Sequence, residues 1–215
     1  MRNIVFVLAF IVSANMFAQS DLKSEKDNFI VGISGGATFS QVDGDTYGGY
    51  HQFGFSAGGF VYRKISKSFD IQMDLGFKQK GSYDGSDAEK GDYSIYYIKL
   101  NYIEFPIVAR FHFWRMAAEG GVSFGALLSS NEGDENGDYK ANPFKPYEVG
   151  TILGFNYYFT KQVWLNMRYG YSLTAIRLPY NGEVDVYQPK ENLFFNRPPG
   201  EYNSYASISL NYAFR

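Results

Sequence analysis

The residues able to do chemistry in this chain are charged side chains set singly between apolar neighbours. From Phe69 to Lys80, Phe69, Ile71, Met73, Leu75 and Phe77 alternate with Asp70, Gln72, Asp74, Gly76 and Lys78. From Lys99 to Phe113, Ile103, Phe105, Ile107, Ala109, Phe111 and Phe113 alternate with Glu104, Pro106, Val108, Arg110 and His112. Glu119, Glu148 and Arg168 recur in the same setting. The candidate set is therefore Asp70, Asp74, Lys78, Lys99, Glu104, Arg110, Glu119, Glu148 and Arg168, with Lys80 beside it. Charges of both signs on one face can form an ion-pair network or line a path for ions or protons. In a narrow barrel, whose interior is just wide enough for side chains to fill, the packed network is the expected outcome.

Other chemistries are poorly supported. His51 and His112 are the two histidines, and neither has a convincing acid and serine partner by sequence. No GxSxG nucleophile elbow is present. The stretches GISGG and GFSAGG lack the following helix that a phosphate-binding loop requires. The acidic loop Asn131 to Asp138 has alternate spacing at Asp134, Asn136 and Asp138. However, Tyr139 stands where a calcium loop needs Gly, and Lys145 where it needs the closing Glu, so a solvated surface loop is expected. The chain has no cysteine, which excludes a disulfide framework and thiolate metal sites. Net charge of −2 offers no electrostatic case for nucleic acid. No enzyme activity, cofactor or metal is expected.

The elements that carry these charges read as β-strands. Aromatics make up 19% of the chain, mostly Tyr and Phe, and Gly is abundant, a composition of strands and turns. Before the strands, Met1-Arg2-Asn3 is a short positive region and Ile4 to Val12 an apolar one, followed by small residues. Residues 1–18 read as a secretory signal peptide cleaved after Ala18, with Ala14 as the alternative, and 19–28 as a flexible leader. No later apolar run approaches helix-spanning length, so a membrane location requires a closed barrel over 29–215.

Eight alternating segments follow: Phe29 to Ser40, Gln52 to Tyr62, Phe69 to Lys80, Tyr93 to Phe113, Met116 to Leu128, Tyr147 to Phe159, Val163 to Ile176 and Ser204 to Arg215. Their connections alternate long and short, as in an up-and-down antiparallel transmembrane β-barrel with short periplasmic turns. An even strand number then places both termini in the periplasm. Phe113, Trp114, Tyr157, Tyr158, Phe159, Tyr212 and Phe214 gather near the short turns as an interfacial girdle. A soluble lipocalin-like barrel would invert this pattern, with an apolar lumen and a charged exterior.

Register makes local expectations. A two-residue turn at Trp114-Arg115 sets Arg110 opposite Glu119, predicting a luminal salt bridge between them. Ile98, Leu100 and Tyr102 share one face, which Ile103, Phe105 and Ile107 then take over, predicting a β-bulge near Asn101 to Ile103. That bulge reads as barrel shaping in preference to re-aiming Glu104. Pro106 cannot donate to a ladder and predicts a further irregularity. The loop Arg177 to Asn203, with Tyr180, Tyr187, Phe194 and Phe195 among four prolines, is equally compatible with a partner-binding loop and a self-packed lid.

The runs YIKLNYIEFPIVARFHF, MAAEGGVSFGALLSS, GTILGFNYYFTKQVWLNMRYGYSLTAI and SYASISLNYAFR together resemble the PorT-type outer-membrane β-barrel family of Bacteroidetes. Its characteristic LNYxExP stretch is matched by Leu100-Asn101-Tyr102-Ile103-Glu104-Phe105-Pro106. The resemblance implies an eight-stranded barrel in the outer membrane. For namesake members it implies a part in type IX secretion, hence contact with outer-membrane lipid and with other envelope or secretion proteins. A non-enzymatic scaffold is the leading expectation. A small-solute porin or transporter is the alternative, and an outer-membrane lipid-modifying enzyme the third.

Overall fold

A computed structural model describes residues 29–45, 49–85, 95–134, 137–138, 142–178 and 200–214. The proposed signal peptide and leader, and the loop residues Tyr180, Tyr187, Phe194 and Phe195, lie outside the described residues. Eight long strands form: β1 (Phe29–Asp43), β2 (Gln52–Lys64), β3 (Phe69–Asp84), β4 (Tyr96–Phe113), β5 (Met116–Asp134), β7 (Tyr147–Tyr158), β8 (Val163–Ser172) and β9 (Tyr202–Ala213). The two-residue β6 (Gly137–Asp138) extends the free end of β5. Each long strand pairs antiparallel with its sequence neighbour. Pairing of β1 with β9 closes the ring. Closure leaves no free sheet edge along the wall, which a lipid-embedded sheet requires.

The faces follow the two-residue period. Val31, Ile33, Phe53, Phe55, Leu75, Phe111, Phe124, Leu153, Ile208 and Leu210 all point outward and are exposed. An apolar surface of this extent around a whole ring suits hydrocarbon and not water. Inward positions take the opposite chemistry: Asp70, Gln72, Lys78, Glu104, Arg110, Glu119, Glu148, Asn156 and Asn166 are buried. Two inward glycines make room for rings. A Cβ on Gly32 would lie 2.2 Å from Phe60 Cζ, and one on Gly170 2.3 Å from the Tyr205 ring.

The Trp114-Arg115 turn forms as expected, with Phe113 opposite Met116. The expected bulge forms in the other strand. Asn101 pairs with Ser129 and Tyr102 with Leu127, so the extra residue is Leu128 on β5. β4 itself alternates without a change of phase. Ile98, Leu100 and Tyr102 are therefore inside the barrel, each fully buried, and Glu104 points inward by plain alternation. Lys99, expected in the lumen, is exposed on the outer face, its Nζ 5.5 Å from the Tyr97 ring centroid. The sequence pattern departs from the structure here because Ile98, Leu100 and Tyr102 are apolar residues on an inner face. They belong to an internal apolar cluster that local patterning assigns to lipid. The ladder between β3 and β4 runs from Met73–Ile107 to Gly76–Glu104 with no pair at Phe105 or Pro106, the gap a missing amide donor produces.

Candidate functional site

The interior is the candidate site, and it is layered. Near the long-loop end, Val42, Ile98, Leu100, Tyr102 and Ile176 form a buried apolar plug, flanked by Tyr96, Leu127 and Phe144. Towards the short-turn end, Phe60, Tyr62, Trp164 and Ala213 form a second plug with Ile30 and Tyr158. Tyr158, expected in the outer girdle, thus packs inside and stacks on Trp164 at 5.3 Å between centroids. Its even-numbered place on β7 shares the inner face with Asn156 and Gly154.

Between the plugs lies a charged belt. Glu104 receives Lys78 Nζ at 2.8 Å and Lys80 Nζ at 2.5 Å, and Lys80 also reaches Glu148 Oε1 at 2.9 Å. Asn203 Nδ2 donates to the other Glu148 oxygen at 2.7 Å. Lys78 Nζ donates to Tyr205 OH at 3.0 Å. Deeper toward the short turns, Arg168 bridges Asp74 and Glu119, at 2.5 Å to each. Asn156 and Asn166 donate to Glu119 at 2.9 and 2.8 Å. Buried ionic groups persist in low dielectric only when paired, and each of these carboxylates has a cationic partner, with Glu119 and Glu148 also accepting amide hydrogen bonds.

The expected Arg110–Glu119 salt bridge is a correction. The two residues are opposite each other in the β4–β5 register, as expected. Yet Arg110 donates through Nε to Asp70 Oδ1 at 2.6 Å and through Nη2 to Oδ2 at 3.1 Å, while Glu119 is taken by Arg168. Arg110 is equally opposite Asp70 on its β3 side, and the forked guanidinium grips that carboxylate with two bonds. His112 Nε2 lies 2.6 Å from the second Asp70 oxygen. Of the nine charges in the sequence-derived set, the structure brings eight together inside and leaves Lys99 out.

One cluster was missed. At the long-loop mouth Arg177 pairs with Glu132 through Nη1 at 2.6 Å and Nη2 at 3.0 Å, and with Glu201 at 2.8 Å. Tyr96 OH also donates to Glu132. The segment Asn131 to Asp134, expected as solvated loop, continues β5, and Glu132 is buried. The bulge at Leu128 is the cause. Before it, odd residues of β5 face inward; after it, even residues do, which aims Glu132 into the mouth. The available signal is Arg177 itself, a charge placed directly after the run Leu173-Thr174-Ala175-Ile176. Burial opposes the Arg177 charge, but the hydrogen bonds it donates to Glu132 and Glu201 outweigh it and hold its pKa above the usual range. Burial pushes the Glu201 carboxyl up, partly offset by Arg177.

Among the described residues no three His, Asp or Glu side chains converge as a metal site. Between the plugs a cavity of about 50 Å³ is lined by Ser34, Ser56, Gly58, Asp74 and Arg168 among others. That is space for a water or two. Among the described residues, apolar side chains fill the lumen at two levels and ion pairs occupy the space between them.

The comparisons agree with this architecture. No curated protein is significantly similar to the chain. Among solved structures it resembles Neisserial surface protein A at 13% identity and TM-score 0.53, covering 86% of this chain and 97% of that one. It also matches Ail, the attachment invasion locus protein of Yersinia pestis, at 11% identity and TM-score 0.46, covering 86% and 98%. At 13% identity the likeness to Neisserial surface protein A speaks to fold. The family model described as "Outer membrane protein beta-barrel domain" matches residues 17–177, ending where the long connection to β9 begins. With three quarters of the chain so matched and eight antiparallel strands closed in a ring, the protein belongs to the outer membrane protein beta-barrel domain family.

Proposed function

We propose that this outer-membrane barrel is a sealed, non-enzymatic scaffold that presents its loops to other envelope proteins. The observation that supports this reading is the lumen, closed by two apolar plugs around a fully paired charged belt. A conducting barrel of this size would need a continuous wet path, and the plugs interrupt one twice. The PorT-type resemblance extends the proposal to an accessory role in protein secretion. It also has residues 1–18 removed on export, 19–28 as a leader and both termini in the periplasm. The loop bearing Tyr180, Tyr187, Phe194 and Phe195 is the proposed partner contact, since aromatic anchors on a proline-stiffened loop lose little entropy on binding.

Purified protein in planar bilayers tests the seal. The expected record shows no steady openings; reproducible unitary conductance would replace the scaffold with a porin. Crosslinking in intact outer membranes tests the partner. Recovery of a defined envelope protein, lost when the four loop aromatics are replaced by Ser, is the expected result. An unchanged crosslink pattern would remove the loop from the proposal.

A further inference from the structure

The short-turn mouth of the barrel is a concave vestibule of about 550 Å³ that the sealed lumen leaves unused. Its rim is formed by the three short turns, and those turns carry Lys67, Arg115 and Lys161, with Lys64 at the end of β2. No carboxylate occurs in residues 63–68, 114–115 or 159–162. Acidic residues concentrate instead in the connections at the other end, so a near-neutral chain has a charge axis along the barrel. All four rim cations are exposed, and none is ion-paired among the described residues.

The vestibule floor is also built for an acceptor. Its one carboxylate, Asp70, is 1% exposed and already neutralised by Arg110, with both oxygens occupied. Arg110 is itself 1% exposed, and its Nη1 has no hydrogen-bond partner among the described residues. The Tyr158 hydroxyl, on the same floor, has none either. The Arg110 guanidinium lies over the Tyr62 and Trp164 rings, 4.6 and 5.6 Å from their centroids, so the floor adds a buried cation and a buried hydroxyl beneath the four rim cations. A cleft with low-dielectric walls focuses the potential of such a ring.

We propose that the short-turn mouth binds a compact phosphate-bearing anion, held by Lys64, Lys67, Arg115 and Lys161 above Arg110 and Tyr158. Cations converging on a volume of this size favour several negative charges on one small group, whereas an extended acidic peptide distributes its charge along a surface. The phosphate is that of a lipid headgroup in the adjoining leaflet or of a free solute. The site stands whether or not the lumen conducts.

The test uses the folded barrel in phosphatidylcholine nanodiscs, titrated calorimetrically with inorganic pyrophosphate. One-to-one binding is expected, weakened about tenfold or more by K64Q/K67Q/K161Q and by raised salt. These lysines lie on exposed turns and at a strand end, so the variant keeps its fold, checked by heat-modifiable migration on gels. K99Q, on the outer wall, leaves binding unchanged. Absence of pyrophosphate binding by folded protein, equal loss in K99Q, or full retention in the triple variant each overturns the site. Repeating the titration in phosphatidylglycerol nanodiscs separates the sources: competition by the lipid supports a headgroup, and undiminished binding supports a solute. Preference for a poly-glutamate peptide over pyrophosphate overturns the phosphate assignment.

Discussion

Replacing Arg168 with Met tests the charged belt at its most connected point. Arg168 holds Asp74 and Glu119 at 2.5 Å each, and its removal leaves two carboxylates facing each other across the lumen. Glu119 keeps two asparagine donors, and Asp74 keeps Gln72 Nε2 at 2.6 Å. Breaking a buried pair by deleting one partner costs roughly 3–5 kcal/mol. The retained hydrogen bonds and the partial exposure of Asp74 place the expected loss near the low end, about 3 kcal/mol. That is roughly a hundredfold in the folded-to-unfolded ratio. Urea unfolding in lipid vesicles can be followed by fluorescence, because Trp164 is fully buried and Trp114 is 99% exposed. The triple variant D74N/E119Q/R168M removes all three charges and is expected to recover to within about 1 kcal/mol of wild type. A loss below about 1 kcal/mol for R168M, or a triple variant worse than R168M alone, would refute the reasoning that pairing and not packing holds the belt.

The absence of cysteine makes thiol labelling clean. K99C in folded protein should react at least about tenfold faster with a water-soluble maleimide than K80C, whose position is 1% exposed; equal rates would return Lys99 to the lumen. Deleting Leu128 should remove the bulge and join Leu127 to Ser129 in the register they already hold, so E132C stays unreactive with and without the deletion; reactivity gained in the deletion background would show that Leu128 is not the extra residue. Gly32→Ala places a Cβ 2.2 Å from both Phe60 Cζ and the Tyr212 carbonyl oxygen, and should cost about 1–3 kcal/mol. Gly120→Ala, with no atom closer than 3.6 Å, should be near neutral; similar effects in both would show that the Gly32 contact is not limiting.

Much of the fold was legible because alternation is a local property. Phe69 to Phe77 against Asp70 to Lys78 requires only that successive side chains point to opposite faces. Strand number, the apolar outer band, the hairpin at Trp114-Arg115 and the inward aim of Arg110 and Glu119 all follow from that period and from turn length. The errors in which way β4 faces share one cause. Ile98, Leu100 and Tyr102 are apolar on an inner face, and a rule equating apolar with lipid-facing must move them outward, inventing a bulge in β4 and drawing Lys99 inside.

Partner choice inside the lumen is a different kind of fact. Arg110 stands opposite Glu119 on one side and Asp70 on the other, and its own strand cannot say which carboxylate it takes. Arg168 on β8 meets Asp74 on β3 from across the barrel, 94 residues away in the chain. Glu132 and Arg177 meet because a bulge at Leu128 reverses the phase of β5. Such contacts depend on the tilt and stagger at which the ring closes, a single number shared by all eight strands and written in none of them. The side chains that could pair were therefore readable residue by residue, whereas the pairs, the plugs between them and the basic vestibule beneath exist only once β1 meets β9.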